Sequence, residues 1–330
     1  MIITKTPLRV SFFGGGTDYP DFFTKYGDGA VLGTAIDKHV FVSIAKFYSK
    51  LFDYSIRISY KQVECVNSLD EIKHAPFKEC LRLHGIENDV EVDYTAELPA
   101  FTGLGSSSSF IVGLLRSLYA FKGKQVDKLD LAREAIHVER DILKEPVGYQ
   151  DQVFAAMGGL NLIKFTQNRI DVTPIHLSQE RAREFEDHLM LFFTGIRRRA
   201  SDVIAGQMQK MDKNKENLTK MRDLTYKAYE ILSGSSPLSE FGSLLDKSWN
   251  LKRSLDDKIS NYEIDKIYRD GISAGAYGGK LLGAGGGGFV LFFVPPKRKE
   301  DVRSKLGHLT EIPIKISNHG SHILNGAIQG

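Results

Sequence analysis

The stretch from Pro99 to Phe121 constrains this chain most. Val90, Val92 and Tyr94 alternate with acidic residues and read as a half-buried strand that Pro99 stops. Gly103 and Gly105 permit a turn with positive φ or the close approach of another group. Ser106 to Ser109 follow, and then Phe110, Ile111, Leu114, Leu115, Leu118 and Tyr119 form the buried stripe of a helix predicted over 107–121. Serine caps helices by accepting a bond from a free first-turn amide, but this run holds more serines than a cap needs. A glycine turn opening a helix presents free N–H groups and the positive end of the dipole, which suits a phosphate. An ordinary capped helix after a glycine turn is the alternative.

At 330 residues the chain exceeds one typical domain, and two are expected: 1–175 and 176–330, with the polar segment 166–187 as the crossing. The formal net charge of +3 is too weak to argue for nucleic acid or an anionic membrane. Cys65 and Cys80 are too few for a disulfide scaffold and form no CxxC, which points to a reducing compartment. The N-terminus lacks a signal-peptide pattern, and no apolar run approaches membrane-spanning length. The expected location is the cytoplasm.

Along the chain, 1–13 reads as two short strands separated at Pro7, followed by the turn Gly14-Gly15-Gly16-Thr17-Asp18. Strands are predicted at 30–47, 54–60, 160–165, 188–193, 289–294 and 312–316. Helices are predicted at 69–84, 127–144, 201–233, 237–254, 261–276 and 297–306. Helix 127–144 shows a stripe at Leu129, Ala132, Ile136, Glu139 and Leu143, with Glu139 where an apolar residue is expected. This mixture indicates an α/β or α+β protein.

Glu139 on that face should be paired, reach water or meet a cation. Asp151 lies just past the break at Pro146 and Gly148, where it could also cap a helix. Beside a phosphate-binding turn, one such carboxylate with a serine hydroxyl can hold Mg²⁺ on a nucleotide. The other can accept a proton from an attacking hydroxyl. Arg9 could stabilise a transferring phosphoryl group, and Asp18 could bind sugar hydroxyls or close an Asx turn. The glycine run 283–288 leads straight into a strand, so close approach to a ligand or to the first glycine turn explains it better than a linker. Arg197, Arg198 and Arg199 are either a solvated face or an anchor for a second phosphate. No GxxxxGK[ST], complete dinucleotide fingerprint or HExxH is present.

Arg9–Asp18, Pro99–Ser109, Glu139–Asp151 and Lys280–Gly288 stand in the order and spacing of the GHMP small-molecule kinases, which the chain resembles over nearly its whole length. Within that superfamily it looks most like the bacterial heptose 7-phosphate kinases, through Leu8–Pro20, Val147–Gln152 and Thr194–Ser201. The resemblance implies a two-domain α+β fold, with an N-terminal domain like ribosomal protein S5 domain 2 and a ferredoxin-like C-terminal domain. It implies ATP held by Gly103, Leu104, Gly105, Ser106, Ser107 and Ser108, with Gly285 and Gly286 from the later glycine run. It implies Mg²⁺ on Ser107 and Glu139, Asp151 and Arg9 as catalytic residues, and substrate contacts from Gly15, Gly16, Thr17, Asp18 and Arg198. The implied reaction phosphorylates the anomeric hydroxyl of D-glycero-α-D-manno-heptose 7-phosphate, on the way to an activated heptose for surface polysaccharide. The implied partner is this small sugar phosphate, and a homodimer stays open. Another anomeric sugar kinase, of the L-fucose or galactose type, and a catalytically inactive sugar- or nucleotide-binding regulator are the alternatives. Two positions depart from the pattern. Phe101 stands where the second motif usually has glycine, and Gly15-Gly16 replaces the Glu-His of galactokinases, which argues against galactose.

Overall fold

The structure, a computed structural model, describes residues 1–196, 204, 206 and 209–324. Its first element is one strand rather than two: β1 (Ile2–Phe13) runs unbroken through Pro7. The pairing with β2 (Gly29–Lys46) slips register between Pro7 and Leu8, and such an irregularity tolerates the missing proline N–H. Between these strands lies α1 (Pro20–Tyr26). The first half continues with β3 (Ile56–Ser59), β4 (Val63–Val66), α2 (Ala75–Leu83), β5 (Val90–Ala96), α3 (Ser106–Phe121) and α4 (Lys128–His137). It ends with α5 (Gln150–Met157), β6 (Leu160–Phe165) and β7 (Ile170–Pro174).

The second half comprises α6 (Gln179–Asp187), β8 (Leu189–Phe193), α7 (Lys215–Ser233), α8 (Leu238–Arg253) and α9 (Tyr262–Ser273). After these come β9 (Gly278–Leu281), β10 (Phe289–Phe293), α10 (Lys299–Lys305), β11 (Thr310–Ile312) and β12 (His322–Ile323). The polar segment expected to cross between domains thus contains β7 and α6. Ile170 and Val172 pack on the first core and Phe185 in the second, so a few apolar anchors order an otherwise polar run.

Among the described residues, eight strands form one sheet in the order β12-β1-β2-β5-β3-β4, with β6 on β2 and β7 on β6. A second, antiparallel sheet runs β11-β8-β10-β9. Residue 175 falls between the two sheets, yet β12 returns to pair with β1, so the C-terminal half also completes the first sheet. Helices α3, α4 and α5 bury their stripes against one face of the first sheet. The other face, through Leu8, Val10 and Phe12, packs against α7, α8 and the second sheet.

An aromatic cluster joins the two sheets. Phe12 and Phe13 of β1 meet Phe241 of α8 at 5.6 and 5.1 Å, and Phe241 meets Phe185 and Phe293 at 5.2 Å each. Full burial of each such side chain contributes roughly 1.5–3 kcal/mol, and edge-to-face geometry adds to it. Lys280 of β9 reinforces this join, donating to Ser11 O at 2.7 Å and Phe12 O at 3.0 Å. These contacts join the two sides of the cleft. No described helix is long and apolar enough to cross a membrane.

The two glycine-rich loops touch. Gly283 has φ +75°, and a Cβ on it would lie 2.5 Å from Gly103 Cα. Gly123 has φ +66° with nothing within 4 Å of a Cβ. Gly283→Ala should cost about 3 kcal/mol, from backbone strain plus overpacking, and Gly123→Ala only about 1 kcal/mol. Equal costs in urea unfolding would show that the loop contact does not constrain the fold.

Candidate active site

The two halves enclose a cavity of about 860 Å³. The Gly103–Ser108 bend forms one wall. Gly105 has φ +73° and begins α3, and no side chain caps the helix. Ser106, Ser107 and Ser108 line the cavity, whereas Ser109 turns into the core and donates to Pro7 O at 2.8 Å. This division explains the surplus of serines: one pins the helix to β1 and three face the cleft. Phe101 takes φ +60°, a left-handed conformation that glycine adopts without strain, and its ring is 59% exposed at the cavity lip.

Arg9 and Asp151, far apart in sequence, form a two-pronged ion pair. Nε donates to Oδ1 at 2.7 Å and an Nη to Oδ2 at 2.8 Å. The other Nη donates to Gly103 O at 2.6 Å, and the Arg9 backbone N–H donates to Leu104 O at 3.0 Å. One residue of β1 thereby holds both the bend and the first turn of α5. Three of the five guanidinium donors are committed, so Arg9 positions Asp151 and the loop rather than standing open to a phosphoryl group. Asp151 is not a capping residue: Tyr149 occupies that position. Its carboxylate lines the cavity with lone pairs beyond those Arg9 engages.

Glu139 sits on a widened turn. The helix predicted over 127–144 is regular only to His137. Val138–Ile142 then winds more loosely, with Leu143 N–H donating to Val138 O at 2.9 Å. Leu129 and Leu143 are only half-buried, while Val138 and Glu139 both turn inward. Such wide turns mark functional sites in many helices. Gln152 Nε2 and the Ser108 hydroxyl bond the Glu139 carboxylate. Burial pushes its pKa up to about 7 despite these bonds, with Asp151 adding repulsion.

A buried carboxylate beside a helix terminus and cleft-facing hydroxyls fits Mg²⁺ held largely by phosphates. Among the described residues no group of three or more His, Cys, Asp or Glu side chains is placed to hold a metal ion. The orphaned Gln152 Oε1, buried without a partner, adds a further oxygen beside Glu139.

Asp18 is buried against the same cavity. Its Oδ1 accepts from Gly16 N–H at 2.9 Å and its Oδ2 from Gln150 N–H at 3.3 Å. Burial raises its pKa, and Asp151 adds to the rise. Gly15 and Gly16 line the cleft, but Thr17 does not: its hydroxyl closes the turn onto Gly14 O and Ala30 O. Leu104 packs into the core and takes part only through its backbone. Gly285 and Gly286 turn away onto Ile259, and it is Gly283 and Ala284 that face the cavity. Arg197, Arg198 and Arg199 lie outside the described residues.

Lys252 and Lys280 are both buried at this end; Lys280 opens the later glycine motif, whereas Lys252 stands in no motif. A signal for Lys252 exists in hindsight: Phe241, Leu245, Ser248 and Lys252 share the buried face of α8. Burial lowers both lysines, Lys252 to about 8.

Comparison with known proteins decides the family. Residues 71–159 match the GHMP kinases N terminal domain and 229–309 the GHMP kinases C terminal domain. The chain belongs to the GHMP kinases. It is thus a phosphotransferase that uses ATP. This GHMP kinase is 32% identical to a D-glycero-alpha-D-manno-heptose 7-phosphate kinase of Campylobacter jejuni, over 90% of this chain and 91% of that protein. It is 27% identical to an L-fucokinase/L-fucose-1-P guanylyltransferase of Bacteroides fragilis, over 87% of this chain but 34% of that larger protein. Its fold matches the crystal structure of a D-glycero-D-manno-heptose 1-phosphate kinase from Bacteriodes thetaiotaomicron, with TM-score 0.81, 23% identity and coverage of 98% and 99%. The α+β architecture implied by the motifs is therefore the observed one.

The folded protein keeps the Glu139 proton up to about pH 7, against an ordinary 4.5. Metal-free protein should accordingly lose stability at this site as pH rises between those values. The Tm of Glu139→Gln relative to wild type should climb from pH 5 to pH 8, and a pH-independent difference would refute the burial argument. Phe101→Gly should raise stability by about 1 kcal/mol in urea, because strain is relieved and little burial is lost. A loss instead would mean that the ring packs more than its exposure indicates.

Proposed function

We propose that this GHMP kinase phosphorylates the anomeric hydroxyl of D-glycero-α-D-manno-heptose 7-phosphate to the 1,7-bisphosphate. One observation carries the reading: Asp151 and the uncapped start of α3 line the same cavity, locked together by Arg9. The choice of sugar is supported by the 32% identity to a kinase named for that substrate.

In this reading the triphosphate lies along Gly103–Ser108, under the positive end of α3. The base lies at the far end, where Tyr94 and Phe77 each stand 4.8 Å from Phe110 and Tyr60 stands 4.7 Å from His74. Ser107 and Glu139 would hold Mg²⁺, which would supply positive charge at the phosphates, and Ser108 steadies the Glu139 carboxylate. Gly15, Gly16 and Asp18 face the sugar. Asp151 orients the attacking hydroxyl and takes its proton as oxygen bonds to the γ-phosphorus and ADP leaves. Positioning and electrostatics carry most of such a transfer. The phosphate loop, Asp151 and Glu139 thus come from 1–175, and 176–330 lines the other side of the cleft with Lys252, Lys280, Gly283 and Ala284.

Asp151→Asn should lower kcat by about 10³-fold while an ATP analogue with Mg²⁺ still binds; kcat within tenfold of wild type would remove the assignment. In an ADP-release assay, D-glycero-α-D-manno-heptose 7-phosphate should far exceed free heptose, L-fucose and galactose. Equal or greater turnover of an unphosphorylated sugar would overturn the choice of substrate.

A further inference from the structure

The turn at Gly15 leaves a polar space unfilled. A Cβ built on Gly15 would lie 3.6 Å from Gln150 Nε2, 3.8 Å from Ser11 Oγ and 3.9 Å from Lys252 Nζ. Side chains from β1, α5 and α8 thus converge where this residue offers none, and all three line the cavity. Ser11 Oγ and Gln150 Oε1 are buried with no hydrogen-bond partner. Lys252, 6% exposed, makes one hydrogen bond, to Gly283 O at 2.6 Å, which leaves two ammonium donors. Polar atoms left unpaired at this depth are destabilising, and a ligand rich in hydroxyls would offset that cost.

The surrounding charges single out Lys252. Arg9 is committed to Asp151 and Gly103, and Lys280 donates twice to the carbonyls of β1. Asp18 and Asp151 are the acids that face Lys252, and Arg9 and Lys280 the cations. Its ammonium therefore lies among the groups that would receive the acceptor's proton and hold the acceptor's hydroxyls.

We infer that Gly15, Ser11, Gln150 and Lys252 form the acceptor cradle, in which Lys252 is a catalytic residue that donates to the attacking oxygen while Ser11 and Gln150 bind neighbouring hydroxyls. The inference rests on the kinase reading above and deepens it. As the new O–P bond forms and the bond to the bridging oxygen of ADP breaks, the hydroxyl proton passes to Asp151. Lys252 keeps its own proton and offsets the negative charge that grows on the attacking oxygen. Burial and Arg9 bring its pKa to about 8, so the charged form declines in the mildly alkaline range.

The test uses the full-length enzyme with heptose 7-phosphate, and an ATP analogue with Mg²⁺ as the nucleotide-binding probe. Lys252→Met should lower kcat/KM for the sugar by about 10²-fold or more with analogue affinity within about threefold. Wild-type kcat/KM should fall above about pH 8, and Lys252→Arg should move that fall upward by about one pH unit or more. Gly15→Ala needs no positive φ and meets only ordinary contacts, so it folds as a control and fills the cradle. It should raise the sugar KM at least about tenfold with analogue affinity unchanged. Lys252→Met and Gly15→Ala both within threefold of an active wild type would overturn the cradle alone. So would analogue affinity falling in step with activity, or an alkaline limb unmoved in Lys252→Arg. A wild type inert toward every sugar tested would overturn the kinase reading and the cradle with it.

Discussion

Everything at the cleft depends on the Arg9–Asp151 ion pair. Its two short, parallel hydrogen bonds join the first strand to α5, and the remaining Arg9 contacts clamp the carbonyls of Gly103 and Leu104. The Arg9 side chain is almost wholly buried, so removing its partner would leave a desolvated charge, a loss of about 3–5 kcal/mol. Gly105 permits this pairing: a Cβ there would sit 3.2 Å from Arg9 Cγ and 3.3 Å from Asp151 Oδ2. The glycine thus serves the charge pair as well as the turn.

Around that pair the protein keeps two acids and two cations out of water. Desolvation pushes Asp18 and Glu139 toward their neutral forms and does the same to Lys252 and Lys280. Sites so arranged gain when charged ligands restore the ionised forms. A nucleotide with its cation would do this for Glu139, and an acceptor would do so for Lys252. Binding and charge are coupled because these four side chains are buried at the cavity, where Phe12, Phe13 and Phe241 join its two sides.

Much of this was legible in the chain. The glycine-serine turn and the helix after it need only local rules, and Ser106 to Phe121 is where the periodicity puts it. Glu139 stood out as a carboxylate on an apolar helix face, whereas Asp151, just past a helix break, and Arg9, before a glycine turn, gained weight only together with the phosphate-loop pattern and the family resemblance. Thr17, Gly285 and Gly286 look equally motif-like, but the structure turns them to a backbone turn and to Ile259. Local pattern marks a glycine as special without telling whether a ligand or another chain segment approaches it. Phe101 shows the converse, since the loop keeps its left-handed residue without glycine at that position.

The sequence by itself determined most of the elements, the glycine turn that opens α3 and the acid placed on an apolar helix face, because these follow from spacing within a few residues. Only the tertiary structure decided which groups share the cavity. Lys252, 237 positions from Gly15, meets it because aromatic packing sets α8 against β1, and no periodicity encodes that contact. Likewise Glu139, on its widened turn, meets Ser108 of α3 and Gln152 of α5, contacts that no helical periodicity within residues 127–144 encodes.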